Sequence, residues 1–240
     1  CKGASYRYAF SATPTGVTKA RDWSLEGYTG PILDRTITTP ELVERGLSTK
    51  TTVKLVKYTD AEPPHEDLED WDTCRRKYID QNQARNQAIR VLVERETSQG
   101  KRVCIFVSLV ERHGKLLAKV LKDLHPSALY GSASNDMRIA SLEEFKGQPG
   151  QVLITTLLKE GINLPEMDIL ILAGGGKSDV ATIQQGGRVV RTSPGKVQAT
   201  IYDFIDSDSR VTFNHTLERY EAYKSEGYPV ELLDLTQEGL

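Results

Sequence analysis

The chain has 240 residues, 38% of them hydrophobic and 27% charged, with a formal net charge of -2 and a pI near 6.2. That share of apolar residues can bury a real core, in one large domain or in one domain with part of another. The charge balance excludes a bulk-basic nucleic-acid binder, so any such binding must come from a local patch.

Three cysteines, Cys1, Cys74 and Cys104, share no metal-ligand spacing. Their odd number argues for a reducing compartment over a disulfide framework. No apolar run is long enough to span a membrane, and the opening residues do not read as a signal peptide. The expectation is an intracellular protein, in the cytoplasm or in the nucleoid or nucleus, without a membrane partner.

In chain order, the first feature is Cys1 with no Met before it, followed by an apolar strand over residues 8–12. This reads as a piece cut from a longer chain; intein excision, which also leaves a leading Cys, is the other account. Residues 14–48 are rich in Thr, Gly and Pro and read as a connecting region with short helices. Within it, Thr39-Pro40-Glu41 resembles a helix start, with Thr39 as N-cap and Pro40 in the first turn. Residues 61–72 are acidic, contain Pro63-Pro64 and read as a surface excursion.

Further short apolar runs follow at residues 53–58, 103–107, 128–130, 152–155, 169–173 and 200–205. Most are rich in Val and Ile, as strands buried on both faces tend to be. Helical character falls between them. Residues 80–97 carry a narrow stripe of Ile89, Leu92 and Val93. Residues 113–124 place Leu116, Leu117, Val120, Leu121 and Leu124 at helical spacing. Residues 137–145 repeat that pattern on a smaller scale, and residues 213–224 read as a terminal helix. Such alternation predicts an α/β fold with a parallel sheet, its functional loops gathered at the carboxyl ends of the strands. His113, beside Gly114 at a helix start, suits a capping or core role better than catalysis. No cluster of His, Cys and carboxylates suggests a metal site.

Residues 169–178 resemble a strand running into a phosphate-binding loop that ends Gly176-Lys177-Ser178. A P-loop needs its first glycine five positions before Gly176, and Ile171 stands there. The better reading is a strand–helix turn with Ser178 capping the next helix. An independent P-loop enzyme is therefore disfavoured.

The most informative stretch comes next, Gln184-Gln185-Gly186-Gly187-Arg188-Val189-Val190-Arg191. In a helix, Arg188 and Arg191 project side by side from one face. Two guanidiniums held that close repel each other, and they make sense around a polyanion such as a nucleotide polyphosphate. The competing reading is a solvated helix end carrying two unrelated charges.

Taken together these segments resemble the superfamily 2 DNA/RNA helicases, DEAD/DEAH-like, over most of the chain. Ser11-Ala12-Thr13 looks like that family's Ser-Ala-Thr motif. Phe106-Val107-Ser108 resembles its fourth motif, and Tyr130-Gly131-Ser132 the small loop after it. Thr155-Thr156 with Gly161-Ile162-Asn163-Leu164-Pro165 fits the fifth, where Asp often stands at the position of Asn163. The segment Gln184 to Arg191 fits the sixth, Q-x-x-G-R-x-x-R, although Gln185 stands where Arg is common.

The resemblance implies a RecA-like parallel sheet flanked by helices, preceded by a fragment of a first RecA-like domain. Residues 1–48 would hold the end of that first domain and a linker, and 49–240 the second domain with its terminal helix. ATP and Mg2+ would be bound mainly by the amino-terminal ATPase domain, whose Walker A lysine and acidic box do not occur in these residues. The chain alone is then expected to be inactive. Arg188 and Arg191 would face the γ-phosphate, with Arg191 as arginine finger, and Gln184, Gly161 and Asn163 would lie at the nucleotide. Ser108, Thr155 and Thr156 would touch the DNA or RNA backbone without reading sequence. Ser11 and Thr13 would couple hydrolysis to movement. A non-catalytic nucleic-acid-binding or regulatory RecA-like module is the alternative.

Overall fold

The computed structural model describes residues 26–28, 30–31, 39–64, 70–131, 133–157, 164, 166–179, 196 and 198–238. The chain divides into two units, Cys1–Thr38 and Thr39–Leu240. Of the first, residues 26–28 form a helical turn.

It begins with α1 (Thr39–Glu44) and β1 (Lys50–Lys57). A short helix, α2 (Trp71–Cys74), runs on into a π-helical turn at Arg75–Asp80, and α3 (Gln83–Thr97) leads to β2 (Val103–Phe106). A second π-helical turn, Val110–Gly114, opens α4 (Lys115–Val120). Then come β3 (Ser127–Leu129), α5 (Asn135–Gly147), β4 (Val152–Thr155) and β5 (Ile169–Leu172). The chain ends with β6 (Gln198–Phe204), α6 (Arg210–Ser225) and β7 (Val230–Asp234).

All seven strands lie in one sheet, in the order β3-β4-β2-β5-β6-β1-β7, and every pairing is parallel. This is the parallel α/β sheet expected from the alternating runs. β2 is fully buried on both faces, so Val103-Cys104-Ile105-Phe106 shows no polar alternation. Because side chains alternate across a strand, Val103 and Ile105 enter one core while Cys104 and Phe106 enter the other. The first core is closed by Ile89, Leu92 and Val93 of α3 and by Leu117 of α4. Phe145 of α5 and Tyr223 of α6 close the second.

Two helices differ from the sequence expectation. The stretch expected as one helix over residues 80–97 starts only at Gln83. Asn82 takes an extended backbone, with ψ 112, and its Oδ1 accepts from the Arg85 N–H at 3.1 Å. That side chain satisfies an end N–H which a longer helix would have used internally. The helix expected over residues 113–124 breaks into the π-helical turn, α4 and a 3-10 turn at Lys122–Leu124, and it stops at His125 with φ 47. β7 was not foreseen; its Val-Glu-Leu-Leu-Asp sequence is partly exposed at the sheet edge.

Candidate functional site

The geometry of the sheet picks out one spot. β2 sends its connection toward β3, whereas β5 sends its connection the other way, toward β6. The order therefore reverses between β2 and β5, and a crevice at that point, outside the carboxyl ends, is where open α/β sheets bind ligands. Ser108 follows β2 there, and the loop 173–179 follows β5.

The two meet closely. A Cβ added to Gly174 would collide with Ser108 Oγ and would lie 2.6 Å from Asp179 Oδ2. Asp179 is buried, and its Oδ2 accepts from the Gly176 N–H at 3.1 Å, which folds the loop back on itself. Gly175 takes φ +69, a conformation L side chains rarely adopt, and a Cβ there would lie 2.9 Å from Ile79 Cδ1. Glycine is thus required at 174 by close approach and at 175 by close approach and backbone angle. Lys177 is exposed and stands 4.0 Å from Glu218.

Beneath the loop lies a buried ionic network that sequence reasoning missed. Arg85 of α3 donates from Nε to Asp206 Oδ1 at 2.7 Å and from Nη1 to the Ala173 carbonyl at 2.8 Å. Arg219 of α6 donates from Nε to Asp203 Oδ2 at 2.8 Å and from Nη1 to the Gly175 carbonyl at 2.7 Å. Its Nη2 reaches the Phe204 carbonyl at 3.0 Å and Asp206 Oδ2 at 3.3 Å. Asp206 therefore bridges both guanidiniums. Tyr223 donates its hydroxyl to Asp203 Oδ2 at 2.9 Å. Burial works against the Arg219 charge, but Asp203 and Asp206 outweigh it and hold its pKa above the ordinary arginine value. Burial likewise pushes the Tyr223 hydroxyl upward, reinforced by the Asp203 charge. One signal in the sequence could have found this network: Asp203 is a charge inside the apolar run of β6.

A second polar cluster joins the two π-helical turns. His113 is fully buried, and its Nε2 pairs with Asn86 Oδ1 at 2.9 Å. Asn86 Nδ2 donates to the Asp80 carbonyl at 3.0 Å, which fixes its amide and makes Nε2 the protonated ring nitrogen. His113 Nδ1 then faces Asp80 Oδ1 at 3.6 Å without a hydrogen bond. Burial, with the Arg85 charge, lowers the His113 pKa to about 3, and burial raises that of Asp80. His113 is a neutral core histidine, in keeping with its sequence reading.

The expected backbone-contact residues separate. Ser108 and Thr156 are half-buried at the carboxyl ends of β2 and β4. Thr155 is fully buried, because its Oγ1 turns inward and accepts from the Leu157 N–H at 3.0 Å. Its oxygen thus caps the backbone just past β4. Ser11, Thr13, Gly161, Asn163, Gln184, Arg188 and Arg191 lie outside the described residues. Among the described residues no group of three His, Cys, Asp or Glu is placed to hold a metal ion, and no helix is long and apolar enough to cross a membrane. Cys74 and Cys104 are buried and joined in no disulfide. A cavity of about 290 Å³ lies at the opposite end of the sheet, between Val43 of α1 and Tyr228-Pro229, away from the switch point.

Residues 84–193 match the family described as helicase conserved C-terminal domain. The chain is 28% identical over 99 residues to the ATP-dependent DNA helicase UvsW of Enterobacteria phage T4, covering 40% of this chain and 20% of that protein. It is 32% identical over 98 residues to the ATP-dependent RNA helicase DRS1 of Debaryomyces hansenii, covering 40% of this chain and 13% of the other. The chain thus spans no more than about a fifth of the curated relatives it matches. The crystal structure of T4 UvsW superposes with a TM-score of 0.60 at 19% identity, over 78% of this chain and 42% of that one. Residues 84–193, from α3 to the arginine segment, thus match the helicase conserved C-terminal domain, on a parallel sheet whose fold is shared with a helicase of known structure.

Proposed function

We propose that the chain is the arginine-bearing half of an ATP site in a helicase or translocase that couples ATP hydrolysis to movement along, or unwinding of, DNA or RNA. The observation that carries this reading is the meeting of Ser108 with the 173–179 loop at the switch point, on the stretch of chain that leads to Gln184, Arg188 and Arg191. The chain leads from this turn at the crevice toward the segment that carries Arg188 and Arg191.

In this reading Arg188 and Arg191 stabilise the charge on the transferring phosphoryl group, with Arg191 as the finger; preorganised cations are worth several powers of ten there. Gln184, Gly161 and Asn163 line the nucleotide side. The Walker A lysine and the acidic box that holds Mg2+ would be supplied by an amino-terminal ATPase domain, whose end, with the linker after it, would fall within residues 1–48. Ser108 and Thr156 would bind phosphodiester oxygens, while Thr155 shapes the strand end from inside. Ser11 and Thr13 would link hydrolysis to movement.

The test joins this chain to a segment carrying the Walker A loop and acidic box and measures ATP hydrolysis with and without nucleic acid. The expected result is hydrolysis that nucleic acid stimulates and that neither part shows alone. A verified complex that hydrolyses nothing would favour a non-catalytic binding or regulatory module.

A further inference from the structure

Arg85, Asp206 and Arg219 are buried side chains, and between them they hold two carbonyls of one loop. A buried ionic triad is a poor way to gain stability, since apolar residues of similar volume often do as well. What the triad adds is geometry. A guanidinium presents its donors in a fixed planar fork, so a carboxylate on one edge dictates where another donor points. With Asp206 set against both arginines, at 2.7 Å for Arg85 and 3.3 Å for Arg219, their Nη1 donors are aimed at the Ala173 and Gly175 carbonyls.

Those carbonyls belong to the loop that leads toward the arginine segment. Its remaining freedom is removed from above by Ser108 and Ile79, against Gly174 and Gly175, and from within by Asp179 on the Gly176 N–H. We infer that Arg85 and Arg219, bridged by Asp206, are positioning residues: they hold the 173–179 loop in place at the switch-point crevice, where the nucleotide reading puts the ATP site. This rests on the nucleotide reading above and assigns the two buried arginines no contact with ATP. Displacing a group at such a crevice by about 1 Å can cost about a hundredfold in rate while ground-state binding survives.

The experiment uses the full-length protein and steady-state ATP hydrolysis at saturating nucleic acid. Arg219→Lys and Arg85→Lys keep the charge but lose the fork. Each is expected to lower kcat by about tenfold or more, with KM for ATP and nucleic-acid affinity within about twofold of wild type. Tyr202→Phe is the stability control, because it removes the buried 2.6 Å hydrogen bond to Glu96 without touching the loop. It should leave kcat unchanged. If either lysine variant fails to fold by circular dichroism, the other decides the matter. Lysine variants with wild-type kcat overturn the positioning role, as does a Tyr202→Phe variant that loses kcat equally. Arg191→Ala separates the two levels: if it retains full activity, the nucleotide reading itself is wrong and the positioning role falls with it.

Discussion

Arg85 and Asp206 meet at 2.7 Å, Nε to Oδ1, with side-chain exposures of 0% and 1%. Arg219 Nη2 approaches the other carboxylate oxygen at 3.3 Å, so one acid answers two buried cations. Removing the acid strands Arg85 and leaves Arg219 with Asp203 alone. Asp206→Ala is therefore expected to destabilise the domain by about 3–5 kcal/mol, the range for breaking a buried pair from one side. Urea denaturation measures it, and a loss below about 1 kcal/mol would mean the carboxylate is dispensable.

The half-buried and fully buried threonines should respond differently. Thr155→Val removes the oxygen that accepts from Leu157 N–H and is expected to cost about 1 kcal/mol of stability while nucleic-acid affinity holds. Thr156→Ala should weaken binding to the same extent on every nucleic-acid sequence, since a backbone contact reads none. Fluorescence anisotropy on two unrelated oligonucleotides checks both.

Acid should unfold the domain partly through His113. Its pKa is about 3 in the fold against an ordinary 6.5, so the unfolded chain takes up the proton first as pH falls. The stability this neutral histidine contributes is full above pH 6.5 and is lost progressively down to about 3. Between pH 7 and pH 5 the His113 contribution should fall by about 2 kcal/mol. Asp80, facing it with a raised pKa, acts in the opposite sense near its own range. The check is the slope of unfolding free energy over that interval, which should flatten in His113→Gln; an unchanged slope would assign the acid sensitivity elsewhere.

Cys104 offers a simpler test. Burial pushes its thiol up to about 12 and the side chain is fully enclosed in the core. At neutral pH it should resist alkylation until the domain unfolds, so mass-spectrometric labelling of that residue should follow the unfolding rate. Fast labelling of Cys104 in the folded protein would mean that β2 opens locally.

The central strands were legible because both-face burial writes itself into sequence as runs such as Val103 to Val107, whereas the partly exposed edge strand β7 was not. Arg85 and Arg219 were not, because each lies in a helix where a charge ordinarily marks the solvent face. Their burial depends on Asp203 and Asp206, far away in the chain and brought near only by the fold. The π-helical turns at Arg75–Asp80 and Val110–Gly114 were equally hidden, since no periodicity announces a single wide turn. Thr155 and Thr156 looked alike as neighbours in a motif, yet β4, buried throughout, ends at Thr155 and leaves Thr156 half-buried just past it.

The central claim is that the arginine segment completes an ATP site. Single-turnover ATP hydrolysis by the full-length protein, wild type against Arg191→Ala, tests it most directly. The arginine-finger role predicts a fall of about a thousandfold or more, with ATP still bound. A rate within about threefold of wild type would contradict it and leave a RecA-like module that binds without this catalytic contribution.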